Sequence, residues 1–164
     1  MGNSRYRKRD TKEIDLTLGY TTGGFSISVT DYWFNGGPGY FHYGSHNTNH
    51  TFEAQIGYDF GPLALNWYTN FAGTDGVNNE GDRAYSSYIS ATVPFTLAGL
   101  EWTAEIGATP WATDFYNYSE DPVCNGSNGF AVCDISLGAA KEIRITDSFS
   151  VSSFCQKYTV NPTH

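Results

Sequence analysis

Three histidines, His42, His46 and His50, recur every four residues in "FHYGSHNTNH", and three imidazoles brought together could bind zinc. That convergence needs a helix face, which Gly44 and the Asn- and Thr-rich surroundings oppose. The stretch reads as a polar, hydrogen-bonded loop, and no metal is expected. Cys124 and Cys133 lie nine positions apart across a loop, a spacing that suits a disulfide in an oxidising envelope and two free thiols equally well, with Cys155 left over. Asp15, Glu53, Glu101, Glu105 and Asp134 are carboxylates that could do acid–base work or attract cations. Glu101 and Glu105, four apart, would be separated by roughly 13 Å along a strand, too far for a glycosidase pair. No nucleophile elbow, phosphate loop or metalloprotease motif appears. The chain therefore reads as a non-enzyme that needs no cofactor.

These residues must be positioned by strands. The chain has 164 residues, enough for one domain, with 18 glycines, 16% aromatic and only 16% charged residues, a composition that favours an all-β protein. The net charge is −8, and Arg5, Arg7, Lys8, Arg9 and Lys12 supply five of the nine cations, so the rest is strongly acidic. An acidic surface cannot displace counterions from phosphate, which disfavours a nucleic-acid partner. The start "MGNSRYRKRD" has no apolar run behind it and is not a secretory signal, and no stretch reaches the roughly 18 apolar residues of a membrane helix. Residues 1–11 form a basic leader outside the strands, 12–151 the strand region, and 152–164 a tail in which patterning decays.

Period-2 alternation marks eight strands. Their apolar positions include Ile14, Leu16, Leu18 and Tyr20; Phe25, Ile27 and Val29, continuing to Trp33; Phe52, Ala54, Ile56, Tyr58 and Phe60; and Leu63, Leu65, Trp67 and Phe71. The later ones are Ile89 to Phe95, Leu100 to Ile106, Cys133 to Ala139, and a strand opening at "DSFSV". Short connectors ("TTGG", "GP", "TLAG" and the region of "RITD") alternate with long ones at 35–50, 73–83 and 112–129.

In a soluble sheet the apolar face points to a core and the polar face carries Lys, Arg and Glu freely. In an outer-membrane barrel the apolar face crosses about 25 Å of lipid without charge, between aromatic girdles. Three features favour the second arrangement. Across the first six strands the apolar face has no Lys or Arg, and the polar face has Glu, Asp, Ser, Thr, Asn and Gly. Aromatics gather at the short-turn ends (Tyr20, Phe25, Tyr58, Phe60, Phe95, Phe149) and at the long-loop ends (Trp33, Phe52, Phe71, Tyr85, Trp111). Segments of about ten residues match the 9–11 of a tilted spanning strand. Asp15, Glu53, Glu101, Glu105 and Asp134 would then line a lumen whose field favours cations.

The segments "EIDLTLGYTTGGFSISVTDYWF", "FHYGSHNTNHTFEAQIGYDFGPLALNWYTNFAG", "AYSSYISATVPF", "TAEIGATPW" and "ITDSFSV" resemble the outer-membrane β-barrel proteins of Bacteroidetes, porin-like and distantly similar to the TorF-type porins. The resemblance spans about residues 11–151. It implies an up-and-down antiparallel transmembrane β-barrel in the bacterial outer membrane, with lipid and small solutes as partners and no catalytic residue. Such barrels have a signal peptide, further strands and an aromatic-terminated last strand. Short turns after strands one, three, five and seven put both chain ends on the long-loop side, so an incomplete barrel of about eight strands is expected, a fragment of a larger parent. The competing readings are a soluble barrel or sandwich that binds an apolar ligand inside, and an adhesion or structural barrel acting through its Tyr-, Asn- and Gly-rich loops.

Overall fold

The computed structural model describes residues 12–34, 37, 39–44, 47–117, 124, 128–146 and 149–160, with side chains as far as Lys141. The basic leader 1–11 and His46 lie outside the described residues, as do the side chains of Phe149 and Cys155. Eight strands follow one another: β1 (Glu13–Thr22), β2 (Phe25–Phe34), β3 (His50–Asp59), β4 (Ala64–Gly73), β5 (Ser87–Leu97), β6 (Leu100–Thr109), β7 (Ala131–Thr146) and β8 (Phe149–Val160). Each pairs antiparallel with its sequence neighbours in a single up-and-down sheet, β1 to β8 in order. The sheet is not closed: among the described residues β1 and β8 do not pair.

The tight turns explain the hairpin register. In Thr22–Phe25 both central residues are glycines at φ +52° and +85°, the combination a two-residue hairpin of right-handed twist requires. The turn after β5 demands the same of Ala98 (φ +54°) and Gly99 (φ +73°), which extends β5 to Leu97, past the expected end at Phe95. At "GP", Gly61 takes φ +91° and Phe60 N–H closes on Leu63 O at 2.9 Å.

Register sorts the side chains as the alternation predicts. Leu18 faces Val29, Ile27 faces Ile56, Tyr58 faces Leu65, and Ala91 faces Ile106, all on one side of the sheet. Thr30 opposite Glu53, Gln55 opposite Tyr68 and Thr92 opposite Glu105 occupy the other. Four register shifts among the described residues, at Phe52/Glu53, Gly107/Ala108, Leu137/Ala139 and Arg144/Thr146, mark bulges or irregularities. The one at Leu137/Ala139 falls inside the segment whose patterning decays. Leu137 pairs with Tyr158 and Ala139 with Cys155, so Gln156 and Lys157 together oppose Gly138, and the strand continues to Val160 inside the segment expected to be a tail.

Burial is inverted relative to an ordinary sheet. Among the described residues the buried apolar ones are small: Ala84, Ala108, Cys124, Ala131, Cys133 and Ala139. The largest fully buried side chains are led by His50, Asn117, Thr109 and Thr113. On the apolar face Leu18 is 81% and Ile56 53% exposed, and Leu16, Leu65, Trp67 and Ile106 are exposed with them. A sheet in a soluble domain packs its apolar face against a second layer. Among the described residues no such layer exists; the loops pack on the polar side and at the long-loop end.

Candidate functional site: the polar face and the loops that cover it

Asp15, Glu53, Glu101, Glu105 and Asp134 all fall on the polar side. Asp15 is opposite Tyr32, Glu53 opposite Thr30, Glu105 opposite Thr92, Glu101 opposite Thr96 and Asp134 opposite Gly107. Cross-strand hydrogen bonds knit this face. Thr17 Oγ1 meets Thr30 Oγ1 at 2.9 Å, Ser28 donates to Gln55 Oε1 at 3.1 Å, Tyr32 O–H donates to Glu53 Oε1 at 3.2 Å, and Thr92 donates to Glu105 Oε2 at 3.0 Å. Glu101 and Glu105 border a hollow of about 310 Å³ lined also by Thr103, Ser136, Gly138, Ala139 and Ala140. The five acids are brought to one face but not into one cluster.

Tyrosines supply what the expected acid set lacks. Tyr68 and Tyr88 are opposite each other on β4 and β5 with ring centroids 6.2 Å apart, and Tyr88 lies 6.1 Å from Tyr116 of the loop after β6. Tyr88 crosses Gly107, where any Cβ would collide with its phenol. The signal in the sequence for Tyr68 and Tyr88 was an aromatic at a polar parity. Tyr116 had no such signal, because a loop has no period.

The loop is held in place by polar anchors. Ser86 Oγ and Thr113 Oγ1 are 2.6 Å apart, Thr113 N–H donates to Asn117 Oδ1 at 2.9 Å, Trp111 Nε1–H donates to Ala84 O at 2.8 Å, and Val77 N–H donates to Asp114 Oδ1 at 2.6 Å. Cys124 and Cys133 form a disulfide (S–S 2.04 Å), and Tyr88 and Tyr116 pack against the buried cluster that contains it. Cys124 N–H also donates to Tyr116 O at 2.8 Å. Of the two arrangements the cysteine spacing allowed, the structure has the bridged one.

Burial pushes the Tyr116 hydroxyl above the ordinary tyrosine range, and Glu53, Tyr88, Asp75 and Tyr32 push in the same direction. Glu53 is on β3 and Tyr32 on β2, whereas Tyr116 follows β6. Tyr116 thus shares the polar side with groups carried by β2 and β3.

Asp31 and His50 depart from the pattern expected of the apolar face. Asp31 is opposite Leu16 and Phe52, at an apolar position, and His50 is opposite Trp33. Both are buried. His50 Nδ1 is 2.6 Å from Asp31 Oδ1 and its Nε2 is 2.6 Å from the main-chain oxygen of Tyr40. Both ring nitrogens are thus occupied, and His50 cannot serve the zinc site weighed for the histidine triplet. Among the described residues no group of three or more His, Cys, Asp or Glu converges as metal ligands.

The aromatic positions sort into two bands. Tyr20, Phe25, Tyr58, Phe60 and Phe95 are on the apolar side near the tight turns, Tyr58 and Phe60 with centroids 4.5 Å apart, and Phe95 stacked on Trp102 at 6.1 Å. Trp102 belongs to this band although the girdle read from the sequence omitted it. At the long-loop end Trp33, Phe52, Phe71 and Trp111 form the second band, with Trp67 and Trp111 5.7 Å apart. Comparison of the chain with protein families, curated proteins and solved structures returned no match.

Proposed function

We propose that this chain forms the wall of a porin-like transmembrane β-barrel in a bacterial outer membrane, of the type its segments resemble. Its apolar face meets lipid, and its polar face lines a passage for small solutes in which cations are favoured over anions. It carries out no catalysis in this reading. The observation that carries the reading is the exposed band of Leu16, Leu18, Ile56, Leu65 and Ile106 on a single-layer sheet whose opposite, loop-covered face is polar. Strand lengths of 10 and 11 residues in β1 to β6 fit a tilted crossing of the hydrocarbon region. Unpaired edge groups are costly in hydrocarbon, so the barrel needs β1 and β8 each to gain a partner strand.

Planar bilayers containing the protein test this directly. The expected result is a steady conductance with cation-over-anion selectivity that falls in the Glu53→Gln, Glu105→Gln double variant. Absence of conductance at all voltages, or anion selectivity, contradicts the acidic-passage reading.

One observation favours a second reading. A hollow of about 810 Å³ on the apolar side is bordered by Phe25, Ile56, Tyr58, Leu65, Trp67 and Ile106. A water-soluble protein could hold an apolar ligand there. A folded, monomeric, protease-resistant chain in detergent-free buffer would favour this alternative over the membrane.

A further inference from the structure

We propose that segment 39–44 is an anchor that dips into the head-group and acyl-chain boundary of the bilayer, and that the buried Asp31–His50 pair sets its posture. The proposal rests on the lipid-facing reading above and extends it to a loop.

A carboxylate at an apolar parity needs an explanation, since charge on a lipid-facing strand position is costly. Here Asp31 is shielded. His50 covers it, and His50 is itself fully buried, with Tyr43 stacked on the imidazole (centroids 4.2 Å, 26°), Phe52 nearly parallel at 6.0 Å, and the Tyr40 ring edge-on at 5.3 Å. A main-chain carbonyl only accepts, so Nε2 carries a hydrogen and donates to Tyr40 O. The ring therefore joins strand to loop: one nitrogen holds β2 through Asp31 and the other holds the loop through Tyr40.

The consequence is directional. The loops at 74–86 and 110–117 bond to each other across the long-loop end, whereas Tyr40 and Tyr43 lie against His50 and Phe52 on the apolar side of β3. A turn closed by His42 N–H on Gly39 O (2.9 Å) presents Phe41, which is 89% exposed, and Tyr43 is exposed next to it. An isolated exposed aromatic is unremarkable on a soluble surface. Phe41 instead continues a row through Tyr40 (5.2 Å), Tyr43, Phe52 and Phe71 into the outer band of the apolar face. Aromatic side chains with a polar neighbour on one side and hydrocarbon on the other suit a lipid interface. That continuity commits the surface to the bilayer boundary and not to a protein partner.

The test is photo-crosslinking of the whole chain reconstituted in phosphatidylcholine vesicles, with p-benzoylphenylalanine placed singly at position 41, at position 65 on the mid-face, or at position 55 on the polar face. Lipid adducts, read by mass, are expected at 41 and 65 and not at 55. Adducts at 65 without adducts at 41 overturn the anchor and leave the lipid-facing reading standing. No adduct at 65 overturns that reading and the anchor with it. In a His50→Ala background the adduct at 41 should fall several-fold while that at 65 is unchanged. The milder Asp31→Asn, which keeps the side-chain volume, should act in the same direction if His50→Ala does not refold. An unchanged adduct at 41 in a folded variant removes the role given to the pair.

Discussion

The two faces of this sheet share every backbone hydrogen bond and differ only in parity, yet they are built on opposite rules. The polar side is knit by Thr17–Thr30, Ser28–Gln55, Tyr32–Glu53 and Thr92–Glu105 contacts and covered by loops. The apolar side has Leu18, Ile56 and Leu65 uncovered. What stabilises the fold within the chain is therefore its hydrogen-bonded ladder and its polar web, because no large apolar side chain is buried among the described residues. In the proposed reading lipid is the medium outside the apolar side, and the contrast between the faces can be tested one residue at a time.

The largest difference is expected from a charge placed at mid-depth. Leu65→Lys should lower stability in lipid vesicles by about 2–4 kcal/mol. Gln55→Lys, one face over on β3, should cost well under half as much, since its neighbours Ser28 and Tyr68 are polar. Chemical unfolding of both variants in the same vesicles decides it; equal losses would mean that the two faces see the same environment. Next comes the covered side, where Cys124→Ser with Cys133→Ser should cost about 2–3 kcal/mol for a closed loop of this length. The double variant should show a lower Tm than the oxidised parent and the same Tm with or without reductant.

Smaller effects concern the turn and the tyrosine. Ala98 holds φ +54°, a conformation that costs a side-chain-bearing residue about 1 kcal/mol, so Ala98→Gly should raise stability by up to that amount in equilibrium unfolding. A loss of stability would mean that the turn is not strained. Because Tyr116 is raised in the folded chain, the unfolded chain ionises first as pH climbs past about 10. The stability contributed by its neutral hydroxyl is full below that point and is lost as pH rises toward the folded value. Tyr116→Phe should flatten this alkaline loss in a pH series of unfolding midpoints, and an unaltered slope would place the titration elsewhere.

The strands were legible because period-2 patterning and glycine turns act locally. Gly23 and Gly24 supply two positive φ angles, and Ile27, Ile56 and Ile106 follow from counting by two. The same parity placed all five acids on one face. Three things were hidden for physical reasons. Asp31 and His50 are 19 positions apart, and their pairing depends on the β2–β3 register, so the histidine looked like one of a loop triplet. Tyr116 reaches the polar face through a loop whose course is fixed by anchors such as Ser86–Thr113. The alternation of β8 already fails at Ser153 and Phe154 and its register shifts opposite Gly138, which made a paired strand resemble an unstructured tail.

The central claim is that lipid, and not protein or water, covers the apolar parity. Nitroxide labels placed singly at positions 53 to 58 of β3, on the chain reconstituted in vesicles, measure it through collision with oxygen, which concentrates in hydrocarbon, and with a water-soluble nickel chelate. The account predicts alternation, with oxygen contact highest at positions 54, 56 and 58 and nickel contact highest at 53, 55 and 57. Low access of both reagents at position 56, as in a packed protein interior, or high nickel access there, would contradict it.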